Sequence, residues 1–271
     1  MTTHITLRDY SLAFPVFKGS ARSLKKTIVR QARSSLAPVR EASVGGVLHG
    51  AAGGGDTVVV QAIDRLSLDI GAGERVGLVG HNGAGKSTML RALAGIYESA
   101  DGLLQVQGHV HALLDPQSGM NPELSGRENV RLFACRLQYD RARTTALERD
   151  VEAFAELGAF FDLPVRLYSS GMTVRIGFAL ATAPRPEILL MDEWFLAGDQ
   201  HFQDKARARL EDLIDSADIL VLTSHSLPIL RRWCTRVIWM EAGRIRFDGP
   251  PGDVLDAYEA SQNIRAVDFS P

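Results

Sequence analysis

Apolar and polar positions alternate over residues 5 to 14, ITLRDYSLAF, and predict an edge strand. The pattern then changes abruptly. Lys18, Arg22, Lys25, Lys26, Arg30, Arg33 and Arg40 follow without an intervening acidic residue, and Leu24, Ile28 and Ala32 recur at helical spacing, so a short basic amphipathic helix is expected there. Residues 43 to 56, SVGGVLHGAAGGGD, carry six glycines, too costly to order in a helix and too poor in side chains to pack as a strand; a loop is expected. From Thr57 onward strand and helix patterns alternate. VVVQAI and RVGLV read as strands, Lys86 to Ala94 as a helix stopped by Gly95, and about Arg127 to Leu180 as a more helical stretch. Farther on, Glu187 to Asp192 and Ile219 to Ser224 read as apolar strands. RVIWMEAGRIRFDG reads as a hairpin turning at Glu241-Ala242-Gly243, and Gly252 to Ala260 as a closing helix. This order predicts an α/β fold, a parallel sheet with a helical insertion.

Composition narrows the classes. With 271 residues, 45% of them apolar, the chain can bury one α/β core, or a core plus a smaller helical lobe, but not two full-sized domains. A net charge of −2 makes no overall demand for a nucleic-acid partner. Arg8 and Asp9 stand where a signal peptide would need apolar residues, and no uncharged apolar run approaches the ~20 residues that span a bilayer. Membrane association is therefore expected to be peripheral or through a partner. Cys135 and Cys234 belong to no CxxC or Cys/His cluster, which fits structural thiols in a reducing compartment.

The chemistry concentrates in a few strings. Gly80-His81-Asn82-Gly83-Ala84-Gly85-Lys86-Ser87, followed by Thr88, has P-loop spacing directly between a strand and a helix. Glycines let backbone N–H groups converge on the β- and γ-phosphates of a nucleotide, the helix N-terminus adds positive potential, Lys86 supplies a cation and Ser87 a hydroxyl for Mg²⁺; kinases, GTPases and helicases share the motif. Ile188-Leu189-Leu190-Met191-Asp192-Glu193 is an apolar strand ending in two carboxylates, suited to hold Mg²⁺ through Asp192 and to orient or deprotonate water through Glu193. His225 follows another apolar strand, at the sheet edge where open α/β folds bind ligands, and reads as a γ-phosphate contact that positions the attacking water.

Tyr168-Ser169-Ser170-Gly171-Met172 opens a helix shortly upstream of Asp192, and with the strings above it resembles the signature of ABC ATPases over about Ile63 to Gly249. The resemblance implies a P-loop ABC ATPase with a RecA-like parallel-sheet core, an N-terminal antiparallel β region and a helical signature subdomain at about 115 to 184. All of residues 1 to 271 would form one ABC ATPase domain, with 1 to 56 holding the edge strand, the basic insertion and the glycine-rich loop. It also implies a head-to-tail homodimer in which Ser169, Ser170, Gly171 and Met172 of one copy complete the ATP site of the other. By the same resemblance Phe14 stacks on adenine, although a core position in its strand is an equal reading. Gln117, displaced by one residue from the usual alignment, would be the glutamine offered to Mg²⁺.

Ser170 stands where glycine is usual in this family, Met172 where glutamine is usual, and Ala197-Gly198-Asp199 where SALD is usual. Together YSSGM, LLMDEWFLAGDQ, NPELSGRENV and FPVFKGSARSLKK resemble the ATP-binding subunits that export O-antigen, capsule, teichoic acid and galactan chains. This subgroup resemblance implies a transmembrane permease partner, a lipid-linked polysaccharide cargo, no nucleic acid, and a peripheral location on the cytoplasmic face of the bacterial inner membrane. With a short stretch after Gly249, the C-terminal carbohydrate-binding domain of some relatives is not expected. An ABC ATPase for another cargo and a soluble, non-transport ABC ATPase are the competing readings. The basic segment has two readings as well, a solvated helix face or a surface for anionic headgroups and lipid phosphate. On the second, replacing Lys25, Lys26 and Arg30 by glutamate impairs export in cells while ATPase activity of the isolated chain stays near normal; equal loss of both removes the lipid-facing role.

Overall fold

The computed structural model describes residues 2–17, 40–41, 47–50, 57–97, 101–114, 119–192 and 200–267. The basic helix expected over Lys18 to Arg33, Gln117 and Glu193 lie outside the described residues. The chain divides into two compact units, Met1–Gly108 with Val221–Pro271, and His109–Leu220.

In the first unit an antiparallel sheet takes the order β2-β3-β4-β1-β6, from Arg40–Glu41 (β2), Val47–Gly50 (β3), Thr57–Gly71 (β4), His4–Phe17 (β1) and Asp101–Gln107 (β6). The alternation of β1 therefore marks an interior strand, not the edge strand expected from the sequence: Leu7 faces Leu68 of β4 on one side and Leu104 of β6 on the other. The glycine-rich stretch is corrected too. Val47–Gly50 pairs with Val58–Gln61, because ladder hydrogen bonds come from the backbone and require few side chains once a long partner strand is in place.

The burial pattern of this sheet skips a beat at matching points. Ile5 and Leu7 are followed by Tyr10 and Leu12, and Ile63 by Leu66, Leu68 and Ile70, all at most 4% exposed. An extra residue in each strand explains the skip. Asp9 (φ 47) and Arg65 (φ 45) are left-handed, and each donates its N–H to a serine of the opposite strand, Ser67 Oγ and Ser11 Oγ, both at 2.9 Å. These bulges restore the inward phase of both strands.

A second sheet in this unit runs β11-β10-β5-β9, with Arg75–Val79 (β5), Arg236–Glu241 (β10), Arg244–Gly249 (β11) and the Val221–Thr223 part of β9 (Ile219–Thr223). β10 is parallel to β5, and β11 returns antiparallel along β10. Val76 to Val79 and Val221 to Thr223 are buried without alternation, the mark of strands covered on both faces. Helices Lys86–Leu93 (α1), Leu227–Trp233 (α6) and Pro251–Val267 (α7) complete the unit; Tyr258 of α7 meets Trp239 of β10 edge-on at 5.4 Å. Burial pushes the Cys234 thiol up to about 12, so this cysteine is chemically quiet, whereas Cys135 is exposed.

The second unit pairs Val110–Leu113 (β7) in parallel with Ile188–Asp192 (β8). Around them stand helices Gly126–Arg136 (α2), Arg141–Ala155 (α3), Ser170–Ala181 (α4) and Gln200–Ser216 (α5). Two short 3₁₀ turns precede α4. Phe154, Phe178 and Phe202 join α3, α4 and α5 with ring centroids 5.6 to 5.9 Å apart. At the polar edge Arg209 donates to Thr182 Oγ1 at 2.8 Å and pairs with Asp150. Among the described residues, no helix is long and apolar enough to cross a membrane.

Among the described residues, one buried side-chain group is unsatisfied: the Tyr10 hydroxyl has no hydrogen-bond partner, although Tyr10 is 0% exposed. Burying an unpaired hydroxyl costs about 1–3 kcal/mol. Tyr10→Phe is expected to raise stability by about 1 kcal/mol, read from the urea midpoint at constant m-value; a lower midpoint shows that the hydroxyl finds a bound water.

Candidate functional site

The phosphate-loop candidate begins where β5 ends. Gly80 follows Val79, and the chain passes through His81, Asn82, Gly83 and Ala84 before Gly85 opens α1 at Lys86. Gly85 has φ 104, and a Cβ on it would stand 2.7 Å from the Ala62 carbonyl oxygen, so both the backbone angle and the contact demand glycine. Lys86 is 8% exposed. Its ammonium curls back over the loop and donates to Gly80 O at 2.7 Å and His81 O at 3.1 Å. The Ala84 N–H closes a turn on His81 O (3.1 Å) and the Met89 N–H begins the helix on Gly85 O (2.8 Å). Lys86, Ser87 and Thr88 form the first turn of α1, where backbone N–H groups point toward the N-terminal end of the helix. A nearly buried ammonium, amide donors, a serine hydroxyl and no carboxylate within residues 80–88 form a donor set that fits a polyphosphate and its cation.

What holds this loop was missed in the sequence. The hairpin of β10 and β11 turns through Ala242 (φ 49) and Gly243 (φ 78), both left-handed as a tight hairpin requires. The Gly243 N–H donates to Ala84 O, and the Asp64 N–H donates to Gly243 O, each at 3.0 Å. Arg244 locks the neighbouring side chain by donating Nε to Asp64 Oδ2 at 2.8 Å, a contact that holds the Asp64 carboxyl below its usual range. The glycine in EAGR signalled a turn; its grip on the loop lies in contacts between residues far apart in the chain.

His225 belongs to the same unit. It is exposed just after β9, the strand beside β5, and the Ser226 N–H closes on Ser224 Oγ at 3.0 Å before α6 starts. Phe14, half-buried near the end of β1, meets Tyr97 edge-on at 5.1 Å.

The second unit holds the other candidates. Ser169 is the N-cap of α4: its Oγ accepts from the Met172 N–H at 3.3 Å, and its carbonyl accepts from Thr173 Oγ1 at 3.1 Å. Ser169, Ser170 and Gly171 are exposed, while Met172 is half-buried. The far end of α4 is tied to β7 by His111, whose Nε2 donates to Ala181 O at 2.6 Å; burial lowers the pKa of this histidine and keeps it neutral. Asp192 ends β8, half-buried, after a strand whose other residues are buried. Asn129, 2% exposed, was not singled out from the sequence. Its Nδ2 donates to Asn121 O, Leu124 O and Ser125 O, and its Oδ1 accepts from the Asn121 N–H, which closes the loop before α2.

Comparison with known proteins places this arrangement. Residues 63–196 match the family model described as ABC transporter. An O-antigen export system ATP-binding protein of Yersinia enterocolitica is 40% identical over 243 residues, 90% of this chain and 96% of that protein. A teichoic acids export ATP-binding protein of Lactococcus lactis is 36% identical over 73% of this chain, but the match spans only 42% of that relative's length. In fold, an ATP-binding cassette solved as a dimer in a post-hydrolysis state with ADP and Pi aligns with TM-score 0.63 at 17% identity, covering 91% of this chain and 98% of the other. The chain belongs to the ABC transporter family and carries its ATPase domain.

Proposed function

We propose that this chain hydrolyses MgATP to drive export of a lipid-linked cell-surface polysaccharide through a separate membrane subunit, and that it works as a head-to-tail homodimer at the cytoplasmic face of the bacterial inner membrane. The observation that carries the hydrolytic half is the loop at residues 80–88, where the nearly buried Lys86 ammonium lies on the Gly80 and His81 carbonyls at the start of α1 and Gly243 braces Ala84. The cargo rests on the near full-length similarity to an O-antigen export protein.

The roles follow from each group's chemistry. Residues 80–88 hold the β- and γ-phosphates, with the Lys86 ammonium leaving its loop carbonyls for phosphate oxygens. Ser87 and Asp192 offer oxygen ligands to Mg²⁺, with Gln117 as a further one, and the cation when bound neutralises phosphate charge and aligns the leaving group. Glu193 accepts the proton of the attacking water and His225 orients it, while Phe14 stacks on the base. The turn Ser169 to Met172, exposed over its first three residues, faces the γ-phosphate held by a second copy, where a helix N-terminus and a serine hydroxyl favour an anion. Residues 1–271 act as one ATPase domain in this reading, with about 115–184 as its signature subdomain.

Two measurements test it. Glu193→Gln is expected to leave nucleotide binding intact and to slow single-turnover hydrolysis by about 100-fold or more; unaltered turnover removes Glu193 as the base. For the cargo, the chain co-purified with its membrane subunit is expected to show ATPase activity stimulated by lipid-linked glycans. Indifference to glycan lipids detaches the cargo from the hydrolytic reading.

A further inference from the structure

The turn Ser169-Ser170-Gly171 is exposed, yet the residue before it is wedged against α2. A Cβ built on Gly126, the first residue of α2, would lie 2.5 Å from Tyr168 Oη, 2.9 Å from Ile176 Cδ1 and 3.0 Å from Phe161 Cδ2. The phenol thus occupies the space a side chain at position 126 would take. Its hydroxyl donates to Phe160 O at 2.8 Å, which holds the ring at its tip.

The wall that receives it is rigid. Ser125 and Glu128 form a capping box at the start of α2, with the Ser125 N–H donating to Glu128 Oε2 at 2.8 Å and the Glu128 N–H to Ser125 Oγ at 3.2 Å. The loop closed by Asn129 then grips the segment leading to Tyr168: the Val165 N–H donates to Leu124 O and the Arg166 N–H to Pro122 O, both at 2.9 Å. Backbone bonds therefore fix the approach up to Arg166, and the Tyr168 ring fixes the last step before Ser169. A Cβ at position 126 would also meet Ile176 Cδ1, two turns into α4, so the absence of a side chain there leaves room for α4 as well as for the residue before it.

We propose that Tyr168, seated in the space left by Gly126, is a positioning residue that sets the aim of the Ser169 to Gly171 turn at the γ-phosphate in a second copy; this rests on the composite-site reading above. It touches no substrate. Misplacing a positioning group by about 1 Å is enough to cost tenfold or more in rate.

The test uses the full chain. Gly126→Ala forces the phenol aside, and kcat for ATP hydrolysis is expected to fall about tenfold while binding of a fluorescent ATP analogue to the variant's own phosphate loop changes less than about twofold. Tyr168→Ala removes the anchor without a clash and is expected to lower kcat alike, which keeps the test alive should Gly126→Ala fold poorly. Adding Tyr168→Phe to Gly126→Ala deletes the colliding oxygen and is expected to restore most of the lost rate. Mixing Gly126→Ala with Lys86→Ala chains is expected to give more activity than either alone, because one site of the mixed dimer joins an intact phosphate loop to an intact turn. Wild-type kcat in both Gly126→Ala and Tyr168→Ala overturns the proposal, as does a parallel loss of nucleotide binding. If Ser169→Ala with Lys86→Ala regains activity but Gly126→Ala with Lys86→Ala does not, the positioning role alone is overturned. If neither mixture regains activity, the composite-site reading falls, and the proposal with it.

Discussion

The hydrogen bond from the Gly243 N–H to Ala84 O is the constraint on which the candidate phosphate loop of the first unit depends. A loop that must aim several amides at one point cannot also pack them against itself, so it has to be held from outside. Gly243 does this from a hairpin turn, and the Asp64 N–H holds Gly243 in turn. Three stretches of chain, around residues 64, 84 and 243, thus meet through backbone groups. The nearly buried Lys86 ammonium is satisfied by the loop carbonyls of Gly80 and His81.

The second unit solves a different problem with similar means. Its candidate binding turn is the N-terminus of α4, whose amides are useful only if their direction is set. Direction comes from neighbours: the capping box of α2, the four hydrogen bonds of Asn129, and the seat at Gly126 for Tyr168. At the other end His111 caps Ala181 with a neutral imidazole, which ties α4 to the strand running into residues 114–119. The polar arginine contacts, such as Arg127 to Asp162 and Glu152, lie at the periphery and add modest stability, because solvent screens them.

Much of this was legible as strings. The buried strands β5, β8 and β9 read correctly because continuous apolar runs bounded by glycine, proline or carboxylates have few other solutions. The hairpin and α1 read correctly from Gly243 and Gly95. The edge assignment of β1 failed because alternation reports which faces are buried, not whether a strand has one neighbour or two. Helix α5 was not assigned, although Phe202, Ala206, Leu210, Leu213 and Ile214 are buried along it at helical spacing. The matched bulges at Asp9 and Arg65 were invisible because a left-handed residue needs its partner serine across the sheet to be recognised.

By itself, the sequence determined which candidate cation, hydroxyl, carboxylate and imidazole the chain carries and, among the described residues, which helix start, glycine turn or strand end each adjoins. Such motifs are legible because helix starts, glycine turns and strand ends are settled by a few consecutive residues. Tertiary structure alone decided what braces them. Gly243 on Ala84, Tyr168 against Gly126 and Asn129 across its loop depend on groups brought together by folding, and one chain's order of residues does not display which distant backbone a side chain or turn will meet.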